Sequence, residues 1–244
     1  MMSWSEVINK LKRWQPAARR DWVMTAIGAL VTLAAVGVVM LAGKEPEPAP
    51  LAAAEQPAID IPWLPDTVRR WEGIINEMAA KYNIDPEAAA IIMTLESGGY
   101  SKARSEADAL GLMQVTPPTA QDISRRYLKE PRAEYDLLDP RTNIEFGMAY
   151  LAHLRDEFGE PLHGPSWDYT VELIAAGYNA GPGNAGRLYR GEGLPSQESV
   201  SYSRDALGMW RERKAEESST FNRWLERGGF RLVDRAKAEQ NSGG

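Results

Sequence analysis

From Trp22 to Gly43 the chain runs 22 residues, WVMTAIGALVTLAAVGVVMLAG, without one charged side chain. In hydrocarbon each backbone N–H and C=O must find its partner inside the segment, which restricts such a run to a helix. At about 1.5 Å per residue it covers the ~30 Å apolar core of a bilayer. Lys10, Lys12, Arg13, Arg19 and Arg20 precede it against Glu6 and Asp21, and a basic flank of this kind stays on the cytoplasmic side. Residues 1–21 are therefore expected as a basic cytoplasmic segment and 22–43 as one transmembrane helix in the lipid bilayer, with the rest of the chain on the far side. A cleaved signal peptide is the competing reading. Its apolar stretch runs only roughly 7–15 residues, however, and no small-residue cleavage site follows promptly here. Within the first segment, Trp4, Val7, Leu11 and Trp14 recur at helical spacing behind Ser3 and Glu6. An amphipathic helix on the membrane face and a partner-binding tail both fit that pattern.

Pro46, Pro48, Pro50, Pro57, Pro62 and Pro65 punctuate residues 44–65, a composition that predicts an extended spacer. The net charge of −6 includes the basic start, so the remainder is more acidic still. That excludes a nucleic-acid binder held by bulk positive charge. Cysteine is absent and histidine is confined to His153 and His163, which removes thiol nucleophiles, disulfide frameworks and Cys-ligated metals. Chemistry falls mainly to carboxylates and hydroxyls, and a His-rich metal centre is not expected either.

Downstream the periodicity is helical. Behind Asp66, the residues Val68, Trp71, Ile74, Ile75, Met78 and Tyr82 form one stripe. Asp85-Pro86, Thr116-Pro117 and Asp139-Pro140 each place a capping side chain before a proline at the first helical position. Ile144, Gly147, Tyr150, Leu151, Leu154 and Phe158 define a further face, and another helix is expected from Tyr169 to Ala176. Sustained two-residue alternation is missing, so the class is all-α with at most a short ribbon.

One side chain is out of place. Glu96 closes the apolar run IIMTLE immediately before Ser97-Gly98-Gly99. Burial and the negative end of a helix dipole both disfavour a carboxylate there, raising its pKa toward that of a general acid. A simple helix end, or an ion pair with Arg104, fits the position equally well.

The stretch ESGGYSKARSEADALGLMQVTPPTA, Glu96 to Ala120, resembles the signature of SLT-type lytic transglycosylases, peptidoglycan-cleaving relatives of goose-type lysozyme. LLDPRTNIEFGMAYLAHL and AAGYNAGPG follow in the family's order, then Leu194-Pro195 with Glu198-Ser199 and Tyr202. The resemblance covers about residues 66–207, taken as the catalytic domain, with 208–244 as a helical extension and flexible tail. It implies a lysozyme-like helical domain in which Glu96 protonates the oxygen between MurNAc and GlcNAc. As carboxylate, Glu96 then takes the proton of the C6 hydroxyl that closes a 1,6-anhydro ring. By the same resemblance Ser97, Ser105, Gln114, Tyr178, Asn179 and Tyr202 line the substrate groove. The partner is the peptidoglycan glycan strand, and the setting is a bacterial inner membrane with the domain in the periplasm. An envelope-spanning machine or a phage is a further partner compatible with this chemistry.

Asp108 departs from the family, which commonly has Gly or Ala before Gly-Leu-Met-Gln. As a second carboxylate it would permit hydrolysis by an activated water; as a loop charge it would do nothing. A glycan-binding scaffold with a silent Glu96 is the alternative from outside enzymology. The 208–244 segment places Trp210, Phe221, Trp224 and Leu225 at near-helical spacings among many charges, as an amphipathic helix followed by a disordered terminus.

Overall fold

The structure, a computed structural model, describes residues 59–158 and 167–243. The expected cytoplasmic segment, the 22–43 span, most of the spacer and His163 lie outside the described residues. No helix among the described residues is long and apolar enough to cross a membrane.

The described chain is all-α. Helices α1 (Asp66–Arg69) and α2 (Glu72–Tyr82) lead into α3 (Pro86–Ser97), α4 (Pro117–Arg126) and the long α5 (Pro140–Phe158). They are followed by α6 (Trp167–Ala180), α7 (Pro182–Tyr189), α8 (Gln197–Arg211), α9 (Ser219–Trp224), a π-helical turn (Leu225–Gly229) and α10 (Phe230–Asn241). Extended pairing among the described residues is limited to isolated bridges from Leu110 to Arg104 and to Val115.

The capped prolines begin helices as their chemistry requires. The Asp85 carboxylate accepts from Glu87 N at 2.8 Å and Ala88 N at 3.3 Å. Thr116 accepts from Thr119 N, and Asp139 from Thr142 N. Asp66 differs: it lies inside α1, and Pro65 occupies the capping position without a side-chain bond. Nor is the 66–82 stripe one helix. It breaks at Arg70-Trp71, whose side chains both turn to the Gly99 carbonyl, at 3.2 and 3.1 Å.

At the centre, α3 is buried nearly all round, from Ala89 to Leu95. Ile75 and Met78 of α2, Ile144, Phe146 and Met148 of α5 and Met209 of α8 belong to the same core. Gly147 on α5 lets Met113 approach so closely that an added Cβ would stand 2.7 Å from that side chain. α6 packs against α5, α7 and α8.

The packed unit does not stop at residues 66 and 207. Ile59 and Ile61 are 1% and 0% exposed, because the last turn of the supposed spacer inserts its apolar side chains while Arg69 holds the Ile59 and Ile61 carbonyls at 3.0 and 2.7 Å. Residue 207 falls in the middle of α8. Beyond it, Trp63 stacks on Phe221 with ring centroids 5.3 Å apart and donates to the Glu212 carbonyl at 2.9 Å. The Glu212 carboxylate caps α9 through Ser218 Oγ and Thr220 N. From the 208–244 segment, Met209, Trp210 and Phe221 join the core, and α10 runs to Asn241.

Candidate active site

Glu96 sits in the last turn of α3, which Gly98 and Gly99 end with left-handed backbone, φ 59° and 86°. Those dihedrals suit glycine because a Cβ would clash. The Glu96 residue is half-buried. Burial pushes its carboxyl up to about 7, against the lowering effect of a hydrogen bond from Tyr202 and with a smaller upward push from the Glu198 charge. A carboxyl poised there can give a proton and take one near neutral pH.

Tyr202, on α8, donates its hydroxyl to Glu96 Oε1 at 2.5 Å. Burial and the facing Glu96 raise the Tyr202 phenol well above its usual range, so it stays the donor. With Oε1 so occupied, the acid proton belongs on Oε2. Tyr178, on α6, donates to the Met113 carbonyl at 2.8 Å, and burial likewise keeps its hydroxyl protonated. Its ring leans on Tyr150, centroids 5.4 Å apart. Two helices distant in sequence thus meet the end of α3 and the turn from Gly111 to Gln114.

That turn is anchored from below by Asn143 of α5. Its Oδ1 accepts from Met113 N at 2.7 Å, and its Nδ2 donates to the Leu110 and Leu137 carbonyls, both at 2.8 Å. Gln114 has φ 46° and donates Nε2 to the Gly111 carbonyl at 2.9 Å.

Not every residue expected at the groove is placed the same way. Ser97 is 0% exposed; its hydroxyl donates to the Leu112 carbonyl at 2.7 Å and accepts from Gly99 N at 3.2 Å. It supports the site from beneath. Ser105 lies on the exposed loop, where its Oγ accepts from Ala107 N and Ala109 N and so organises the chain around it. Asn179 is exposed at the end of α6. Asp108 is exposed with left-handed backbone, φ 58°; the carboxylate whose charge reaches Glu96 is instead Glu198, one helical turn before Tyr202. Neither Glu198 nor Asn143 stands out as a site residue from residue type alone. The signal for Asn143 is an amide between apolar neighbours on a buried helix face, and for Glu198 its place four residues before Tyr202.

Membrane-bound lytic murein transglycosylase E of Buchnera aphidicola is 36% identical over 95 residues, 38% of this chain and 43% of that protein. Membrane-bound lytic murein transglycosylase C of Glaesserella parasuis is 35% identical over 136 residues, 54% of this chain and 36% of that protein. The chain thus spans less than half the length of these relatives. Among solved structures, the 70 kDa soluble lytic transglycosylase Slt70 of Escherichia coli aligns over 62% of this chain and 26% of its own, with 25% identity and a TM-score of 0.48. Residues 73–200, more than half of the sequence and including Glu96 but ending two residues before Tyr202, match the model of the transglycosylase SLT domain, and the chain belongs to that family.

Proposed function

We propose that the chain is a peptidoglycan lytic transglycosylase with Glu96 as its catalytic acid and base. The observation that carries this reading is a half-buried carboxyl, raised to about 7, with one oxygen held by a phenol at 2.5 Å. Glu96 gives the Oε2 proton to the oxygen linking MurNAc to GlcNAc as the C1–O bond breaks and C1 acquires oxocarbenium character. The resulting carboxylate then accepts the proton of the C6 hydroxyl, whose oxygen bonds to C1 and closes the 1,6-anhydro ring. Protons balance, and no water is consumed. The substrate's own N-acetyl oxygen stabilises C1, which replaces the second carboxylate of the usual pair.

Tyr202 orients the acid and also opposes its protonation, keeping the carboxyl able to cycle between both states. Gln114 and Asn179 offer amides to the sugar hydroxyls and acetamido groups, and Tyr178 holds the turn bearing Gln114 against α6. Ser97 and Ser105 serve the same groove through the backbone they brace. The relatives' names and the uncharged 22–43 run support an inner-membrane anchor with the domain in the periplasm, acting on nearby wall.

Digestion of purified peptidoglycan by the full-length chain, with mass spectrometry of the muropeptide ends, tests the reading. Ends carrying 1,6-anhydroMurNAc, lost in Glu96→Gln, are the expected result. Reducing ends heavier by one water would make it a hydrolase, and absence of release on a competent substrate would leave only the scaffold reading.

A further inference from the structure

The turn that follows Glu96 is held by residues outside the 73–200 family match. The Gly98 carbonyl accepts from Thr67 Oγ1 at 2.7 Å, and the Gly99 carbonyl accepts from Arg70 and from Trp71 Nε1. From the other end of the chain, Glu239 of α10 accepts from Ser101 Oγ at 2.5 Å and from Ser101 N at 3.3 Å, and pairs with Arg70. Ser101 and Glu239 are both buried, each 8% exposed. α10 also lies directly on the turn, since a Cβ at Gly98 would stand 2.9 Å from Val233 N. Burial works against the Glu239 charge, but the Ser101 and Arg70 bonds outweigh it and hold the carboxyl below its usual range. A buried carboxylate so fully satisfied makes a stiff link, because releasing either partner strands the other in a poorly solvated place.

We propose that Glu239 is a positioning residue for Glu96: with Arg70 it locks the Gly98–Ser101 turn onto α10 and fixes the last turn of α3 in the orientation that meets Tyr202. This rests on the reading of Glu96 as the general acid. Glu239 never touches the sugar. Its effect passes through the four residues between Glu96 and Ser101, and loosening them admits water beside Glu96, relieving the burial that is the largest influence on its carboxyl and so outweighing any loss of the phenol bond.

The test uses the full-length chain and two substitutions. Glu239→Gln removes the charge at constant size, and Ser101→Ala deletes only one arm of the link, so it reports even if the first variant fails to fold. Thermal melts establish the fold of each. Muropeptide release gives kcat and KM between about pH 5 and pH 9, and the ¹³C-carboxyl shift of Glu96 gives its titration midpoint directly. The expected result in folded variants is a kcat lowered roughly tenfold with KM within about twofold, and a Glu96 midpoint about one unit lower. Folded variants with unchanged kcat and unchanged midpoint would overturn the proposal. If the unsubstituted chain releases nothing from wall, the midpoint alone decides. A fall in Glu239→Gln then upholds the positioning link while the transglycosylase reading fails by itself, and an unmoved midpoint sinks both.

Discussion

Tyr202 and Glu96 share a 2.5 Å hydrogen bond across 106 residues of sequence, and that bond works against the burial that raises the acid. Removing it should push Glu96 higher. In Tyr202→Phe the alkaline limb of the pH–rate profile, where the acid loses its proton, should therefore move to higher pH. The rate at the optimum should fall roughly 10- to 100-fold, because the carboxyl is no longer aimed. A limb that moves toward acid would show that the phenol does something other than donate.

Glu96 itself should be a burden on the fold above neutral pH. Its folded pKa of about 7 exceeds the ordinary 4.5, so its protonated form contributes stability fully present below about pH 4.5 and lost as pH rises through about 7. Glu96→Gln keeps a neutral group there at every pH. The variant should be inactive yet more stable than the parent at about pH 8, by on the order of 2–3 kcal/mol or several degrees in Tm, with the difference closing toward about pH 4. Equal melting curves at both pH values would contradict the raised pKa.

Glu198 and Asp108 should separate cleanly. Glu198→Gln removes a like charge that raises Glu96, so the alkaline limb should shift to lower pH by a few tenths of a unit, more at low salt. Asp108→Asn should leave both the profile and the anhydro product unchanged. A switch to reducing ends in neither variant, and a limb moved only by Glu198→Gln, are the results to look for in parallel digests.

Asn143 makes three hydrogen bonds, two of them buried, to Met113 N and to the carbonyls of Leu110 and Leu137. Truncating it strands all three partners, and Asn143→Ala should lose about 3 kcal/mol or more in denaturant unfolding. Activity should fall even where the protein is still folded, because the Gly111–Gln114 turn loses its floor. A loss below about 1 kcal/mol would mean that water replaces the amide.

Much of this architecture is legible in the sequence. Asp85-Pro86 and Gly98-Gly99 bracket α3 by local chemistry alone, and a carboxylate ending an apolar helix is conspicuous because few other side chains there are polar. What could not be read depends on distant partners. The break at Arg70-Trp71 coincides with bonds to the Gly99 carbonyl, 28 and 29 residues away, which the local stripe does not announce. Ser97 reads as a groove hydroxyl until the Leu112 carbonyl is seen to accept its hydrogen bond. Ile59 and Ile61 look like part of a proline-rich spacer, since their neighbours say nothing of the Arg69 guanidinium that holds their carbonyls. Glu239 is one acid among many in a charged helix, and only the fold brings Ser101 to it. Asp108 stands out by its place in a motif, whereas Glu198 gains its influence from the helix that carries Tyr202.

The Glu239–Ser101 link spans 138 residues, and this has a consequence for timing. Glu96 leaves the ribosome long before Tyr202, and Tyr202 before Glu239. Until those later segments arrive, Glu96 lacks both the phenol that aims it and the helix that seals the turn behind it. The arrangement we propose for proton donation is completed late, so a nascent chain, or one clipped between Ser101 and Glu239 with its downstream half released, carries Glu96 without its setting.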